Sequence, residues 1–130
     1  MRKLNLPDYD FQHRVDQGKP LVLDIFRKKY VVLTPEEEVR QRFARYLMEE
    51  KGYPASLMMT EYTLELNEMI RRCDILVHKP AGKPSVLVEC KAPNVKITRD
   101  TFDQVARYNM VFKVKYLMVT NGMKHYCCYL

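Results

Sequence analysis

Apolar positions along the chain change period several times, and the changes outline the elements. Leu21 to Phe26 and Tyr30 to Leu33 read as a small hairpin around the basic turn Arg27-Lys28-Lys29. From Thr34 the period lengthens, and Val39, Phe43, Tyr46 and Leu47 make the apolar stripe of a helix. Thr34 is the expected N-cap, Pro35 suits the first helical position, and Glu37 can close a capping box. This helix is expected to run to about Lys51 and stop at Gly52. Glu36 falls on the apolar stripe, whereas Glu37 and Glu38 point elsewhere. Ser56 to Leu66 alternates as a strand, with Leu57, Met59, Glu61, Thr63 and Glu65 on one side, and a tight connection leads into the next strand near Met69. A second helix, starting near Thr98 or Thr101, carries Phe102, Val105, Ala106 and Asn109 inward, with Gln104 and Tyr108 together on one flank. Tyr116 to Thr120 is a short buried strand, and Asn121-Gly122 turns it into Met123 to Tyr129, where Cys127-Cys128 reads as core.

The chemistry concentrates between Arg72 and Ala92. Ile75-Leu76-Val77 and Val86-Leu87-Val88 flank the turn-rich segment from Lys79 to Pro84, the pattern of a β-hairpin. A turn centred between Ala81 and Gly82 sets Asp74 opposite Glu89 on one face, and a period of two adds Lys91. The same register puts Cys73 opposite Cys90 on the other face, as two buried thiols. Acids are depleted in strands, and any single one is ordinarily a solvated surface charge; a matched pair beside aliphatic runs is less ordinary. Two carboxylates about 5 Å apart at an effective dielectric of about 20 repel by roughly 3 kcal/mol, so holding both ionised requires a cation. Lys91 supplies one charge, and hard oxygen ligands suit Mg²⁺ or Mn²⁺ for the rest. Such a site favours metal-assisted phosphodiester hydrolysis. This reading breaks if the three side chains diverge, or if a neighbouring arginine already fills the pocket.

Asp74 followed across a hairpin by Glu89-Cys90-Lys91 resembles the D…ExK motif of the PD-(D/E)xK nuclease superfamily, with Cys73 where the superfamily's name has proline. More narrowly, RRCDILV, LVECKAP and DQVARYN resemble the N-terminal nuclease domain of type I restriction enzyme R subunits, from about Thr34 to Leu130. The resemblance implies an α/β (α+β) fold with a restriction-endonuclease-like α-β-β-β-α-β core, a mixed central sheet flanked by helices, in residues 34–130, with residues 1–33 as an extension carrying a β-hairpin. It implies that Asp74, Glu89 and the backbone carbonyl of Cys90 bind metal, and that Lys91 positions or activates water. Gln104 and Tyr108, the family's QxxxY pair, lie near the metal, and Glu36 matches an additional helix glutamate. DNA is the implied substrate, with motor or specificity subunits of a restriction system as further partners. The alternative is a nucleic-acid-binding or assembly module that keeps the fold without catalysis.

Composition narrows the picture only slightly. The 130 residues, 47% hydrophobic and 29% charged, fit one globular domain. A net charge of +6 favours polyanionic partners. No apolar run is long enough to cross a membrane, and the polar start lacks a signal peptide's apolar centre, so a cytoplasmic location is expected. The four cysteines lack zinc-ligand spacing. No GxxxxGK[ST] loop occurs, so ATP-driven motion belongs to another chain or segment. His78 and His125 are expected to be structural, and the turn Arg27-Lys28-Lys29 to be solvated, with phosphate contact as its other reading.

Overall fold

The computed structural model of the chain describes residues 2–130. Two sheets form. The first is antiparallel and built from β1 (His13–Asp16), β2 (Lys19–Asp24) and β3 (Lys29–Val32). Strand β1 is exposed throughout and carries no alternation to betray it. It forms because Gln17 and Gly18, at φ 50° and 76°, make a tight hairpin whose twist suits antiparallel strands.

The second sheet holds β4 (Met58–Leu66), β5 (Met69–His78), β6 (Pro84–Cys90), β7 (Tyr116–Thr120) and β8 (His125–Tyr129), in that spatial order. All neighbours are antiparallel except β6 and β7, whose parallel pairing is made by the crossover helix α2 (Arg99–Tyr108). With α1 (Pro35–Glu49) in front, the order is the expected α-β-β-β-α-β core plus a final strand. Thr34 caps α1 by accepting from the Glu37 N–H at 3.0 Å. The capping box stays half made, because the Glu37 carboxylate turns to arginines instead. Thr98 and Thr101 form a full reciprocal box at the start of α2.

The helices cover opposite faces. Val39, Phe43, Ala44 and Leu47 of α1 pack on Ile75, Val77, Val86, Val88 and Cys90. Val105 of α2, with Phe112 and Val114 beyond it, packs on Cys73, Leu76, Leu87, Leu117 and Val119. The β5–β6 ladder pairs Ile75 with Val88 and Val77 with Val86, in the expected register, and shifts only at His78.

Three expectations fail for local reasons. The β4–β5 ladder passes from Thr60↔Ile75 to Tyr62↔Cys73 while Glu61 sits at φ 51°, so alternation breaks beside Asp74. Cys73 and Cys90 consequently join different clusters rather than sharing a face; both are free thiols. Cys127 is exposed and Cys128 half-buried, because β8 is an edge strand. Arg27 is neither solvated nor free for phosphate: its guanidinium binds Asp24 at 2.6 Å and Glu37 at 2.9 Å.

Candidate active site

The site forms where β5 and β6 emerge from the sheet, and it is built around Asp74. This residue is buried at 8% exposure. Its Oδ2 accepts from the Cys90 N–H at 2.7 Å, so the carboxylate extends the β5–β6 connection just past the last paired residues. Its Oδ1 accepts from the Arg40 guanidinium at 2.5 Å. Arg40, also buried, binds Glu37 Oε1 at 2.6 Å and approaches Glu61 Oε1 at 3.4 Å. Three carboxylates thus hold one guanidinium; burial acts to lower its pKa, and Asp74, followed by Glu37, outweighs burial and raises it overall.

Glu89 completes the acidic pair. Burial, then the adjacent Asp74, raises its pKa from 4.5 to about 8, against the pull of Lys91. It lines an open cleft of about 350 Å³ with Lys91 and with Gln104, Tyr108 and Asn109 of α2. The Lys91 backbone is fixed by its N–H to Thr120 O at 2.8 Å. Gln104 and Tyr108 are exposed, as a helix flank should be, and the Tyr108 ring lies 4.6 Å from the Arg71 guanidinium. Glu36, on the first turn of α1, has its pKa raised by desolvation and then by Asp74, with Arg40 and Lys91 opposing, so it stands within the field of the same cluster. Its side chain is exposed, whereas Glu37 and Glu38 are buried, the reverse of a simple stripe argument. The N-terminal extension is the reason: Arg27 covers Glu37, and Arg2 covers Glu38 at 3.1 Å.

Asp74, Glu89 and Lys91 lie at the same end of the β5–β6 hairpin, with Gln104 and Tyr108 beside Glu89 and Lys91, but the shared face expected from the register does not form, because pairing stops at Ile75 and Val88. They meet from two sides of the sheet's end rather than from one face: Asp74 reaches towards α1 and Glu89 towards α2. Cys90 takes part through its N–H, and its buried thiol has a pKa pushed far up by desolvation, then by Asp74. His78 packs edge-on to Tyr62 at 6.1 Å, and His125 bonds Thr120 and Asn5, so both have structural surroundings.

Arg40 is the residue that the sequence reading missed. It lies one helical turn after Glu36 and beside Val39, so a charge on a buried stripe was there to be seen. It is also the arginine whose presence in the pocket counts against a ready-made metal site. Among the described residues, no three acidic, histidine or cysteine side chains stand together in metal-holding geometry. The donors still have the right chemistry for a hard divalent ion. Glu89, whose pKa is raised first by desolvation and then by Asp74, contributes a carboxylate oxygen, the kind of hard donor that such an ion takes.

No helix among the described residues is long and apolar enough to cross a membrane. A comparison with curated proteins finds no match. The sequence profile of the type I restriction enzyme R protein N terminus (HSDR_N) matches residues 35–130, from the first residue of α1 through β8 to the last residue of the chain. On that match, and with the helix, hairpin and crossover arranged as described, the chain belongs to the family of type I restriction enzyme R protein N termini.

Proposed function

We propose that this domain is a divalent-metal-dependent nuclease that hydrolyses DNA phosphodiester bonds within a restriction system. The observation that carries the reading is the acidic pair Asp74 and Glu89, the second of which lines a cleft with Lys91, Gln104 and Tyr108. Asp74, Glu89 and the Cys90 carbonyl are the residues that would hold Mg²⁺ or Mn²⁺. When bound, such an ion neutralises a phosphate oxygen and acidifies a water. The Lys91 ammonium orients the attacking water or stabilises the charge that develops. Gln104 hydrogen-bonds a phosphate oxygen or that water, and Tyr108, placed by Arg71, borders the substrate. Glu36 supports the ion from the helix side.

Arg40 has to leave Asp74 Oδ1 for this site to close. Glu37 and Glu61 already hold the same guanidinium, so a short withdrawal along the cluster keeps it paired. Membership of a restriction-enzyme family supports DNA and other restriction subunits as partners, and the basic charge suits the first.

Arg40 also favours a second reading, a nucleic-acid-binding or assembly module in which the guanidinium permanently replaces the metal. Titration calorimetry with Mn²⁺ separates the two. Nuclease function predicts heat that disappears in Asp74→Ala, and DNA cleavage that EDTA and Lys91→Ala abolish while circular dichroism stays unchanged. Absence of Mn²⁺ heat from the wild type leaves only the second reading.

A further inference from the structure

A second charged feature lies at the opposite end of the β5–β6 hairpin. Lys79 and Lys83 stand on the turn, which the Lys79 N–H to Lys83 O bond closes at 2.8 Å. Lys113 and Lys115 stand on the segment between α2 and β7, tied to the hairpin by the Lys115 N–H to Ser85 O bond at 3.0 Å. These four residues surround a cavity of about 550 Å³ whose floor includes the buried Leu76 and Phe112.

Every ion pair among the described residues is made by an arginine, so none of the four lysines is neutralised by an acid. They repel one another instead: the Lys79 pKa is lowered, first by Lys115 and also by Lys83. Two backbone segments far apart in the sequence thus bring cations together against their own electrostatics. An anion is what such an arrangement lacks.

The cavity opens on the sheet face that α2 covers, as does the Glu89 cleft. From Pro84, next to Lys83, to Glu89 strand β6 advances five residues, or roughly 17 Å at about 3.3 Å each. Phosphates of one DNA strand climb about 3.4 Å each along the axis, so that distance spans about five nucleotide steps. We propose that Lys79, Lys83, Lys113 and Lys115 form a backbone-phosphate clamp that holds DNA about five nucleotides from the phosphate in the Glu89 cleft. Ammonium groups contact phosphate as point charges without reading bases, so the clamp contributes affinity and register rather than sequence preference. The inference rests on the nuclease reading for its ligand.

The test is fluorescence anisotropy of a labelled duplex in EDTA, so that no cleavage intervenes, over a series of salt concentrations. Lys79→Ala/Lys115→Ala should lower the slope of log affinity against log salt by about 2, since each phosphate contact contributes about 0.9. The loss should be equal for unrelated duplex sequences, and Lys79→Arg/Lys115→Arg should keep the slope. Lys3→Ala/Lys51→Ala removes the same charge elsewhere and should leave the slope nearly unchanged. Equal effects from the two alanine pairs would reduce the observation to net charge and overturn the clamp. An unaltered slope in folded Lys79→Ala/Lys115→Ala, while the wild type binds DNA, overturns the clamp alone and turns attention to an acidic protein partner. Failure of the wild type to bind DNA at all overturns the DNA reading together with the clamp.

Discussion

Asp24 is a buried carboxylate and Glu89 a half-buried one, and their environments move them in opposite directions. Burial is the largest influence on each and acts to raise both pKa values. Around Asp24 it is outweighed. Oδ1 accepts from the N–H groups of Phe26 (2.7 Å) and Arg27 (3.0 Å), while Oδ2 accepts from Arg27 Nε (2.6 Å) and Thr60 Oγ1 (2.7 Å). The result is a lowered pKa and an acid that ties the small sheet to β4 and, through Arg27, to α1. Glu89 has no such set of donors; its neighbour Asp74 is another acid, and its pKa rises to about 8. The donor count around a carboxylate separates a structural acid from one whose charge is still to be matched. Arg40 stands between the two situations, sharing Glu37 with the Asp24 network and Asp74 with the cleft.

The comparison breaks most visibly if Asp24 is dispensable. Asp24→Ala leaves Thr60 and the turn N–H groups without their acceptor and removes an ion pair. Urea denaturation should show a loss of about 3 kcal/mol, whereas Glu89→Gln at pH 8 should cost nothing or stabilise. The pH dependence sharpens the contrast next. Glu89 binds its proton more tightly folded than unfolded, so its contribution to stability is fully present below about pH 4.5 and is lost as pH rises to about 8. The melting temperature should fall across that window in the wild type, and less steeply in Glu89→Gln. A smaller effect tests Arg40 as the occupant that competes with metal. Arg40→Gln should tighten Mn²⁺ binding by about tenfold, or roughly 1.4 kcal/mol, and Arg40→Lys should give an intermediate affinity. Weakened binding in a folded Arg40→Gln protein would show that the guanidinium supports the ion instead. Smallest of all, Thr34→Ala removes the cap of α1 and should cost about 1 kcal/mol in the same denaturation assay.

How much of this was legible along the chain depended on the range of the interaction. Hairpin register, helix caps and the α-β-β-β-α-β order follow from turn residues, capping side chains and apolar period, all settled within a few neighbours; that Asp74, Glu89 and Lys91 fall at one end of the hairpin could be read directly, whereas the faces from which they approach could not. Strand β1 could not, because its four residues are exposed and only the backbone of Gln17-Gly18 commits them to pairing. The separation of Cys73 from Cys90 depended on a break at Glu61 in a neighbouring strand. The seat of Arg40 on Asp74, 34 positions away, is a further product of folding. A charge at a buried position takes whatever opposite charge the packed helix and sheet bring within reach, and periodicity within one element carries no information about which residue that will be.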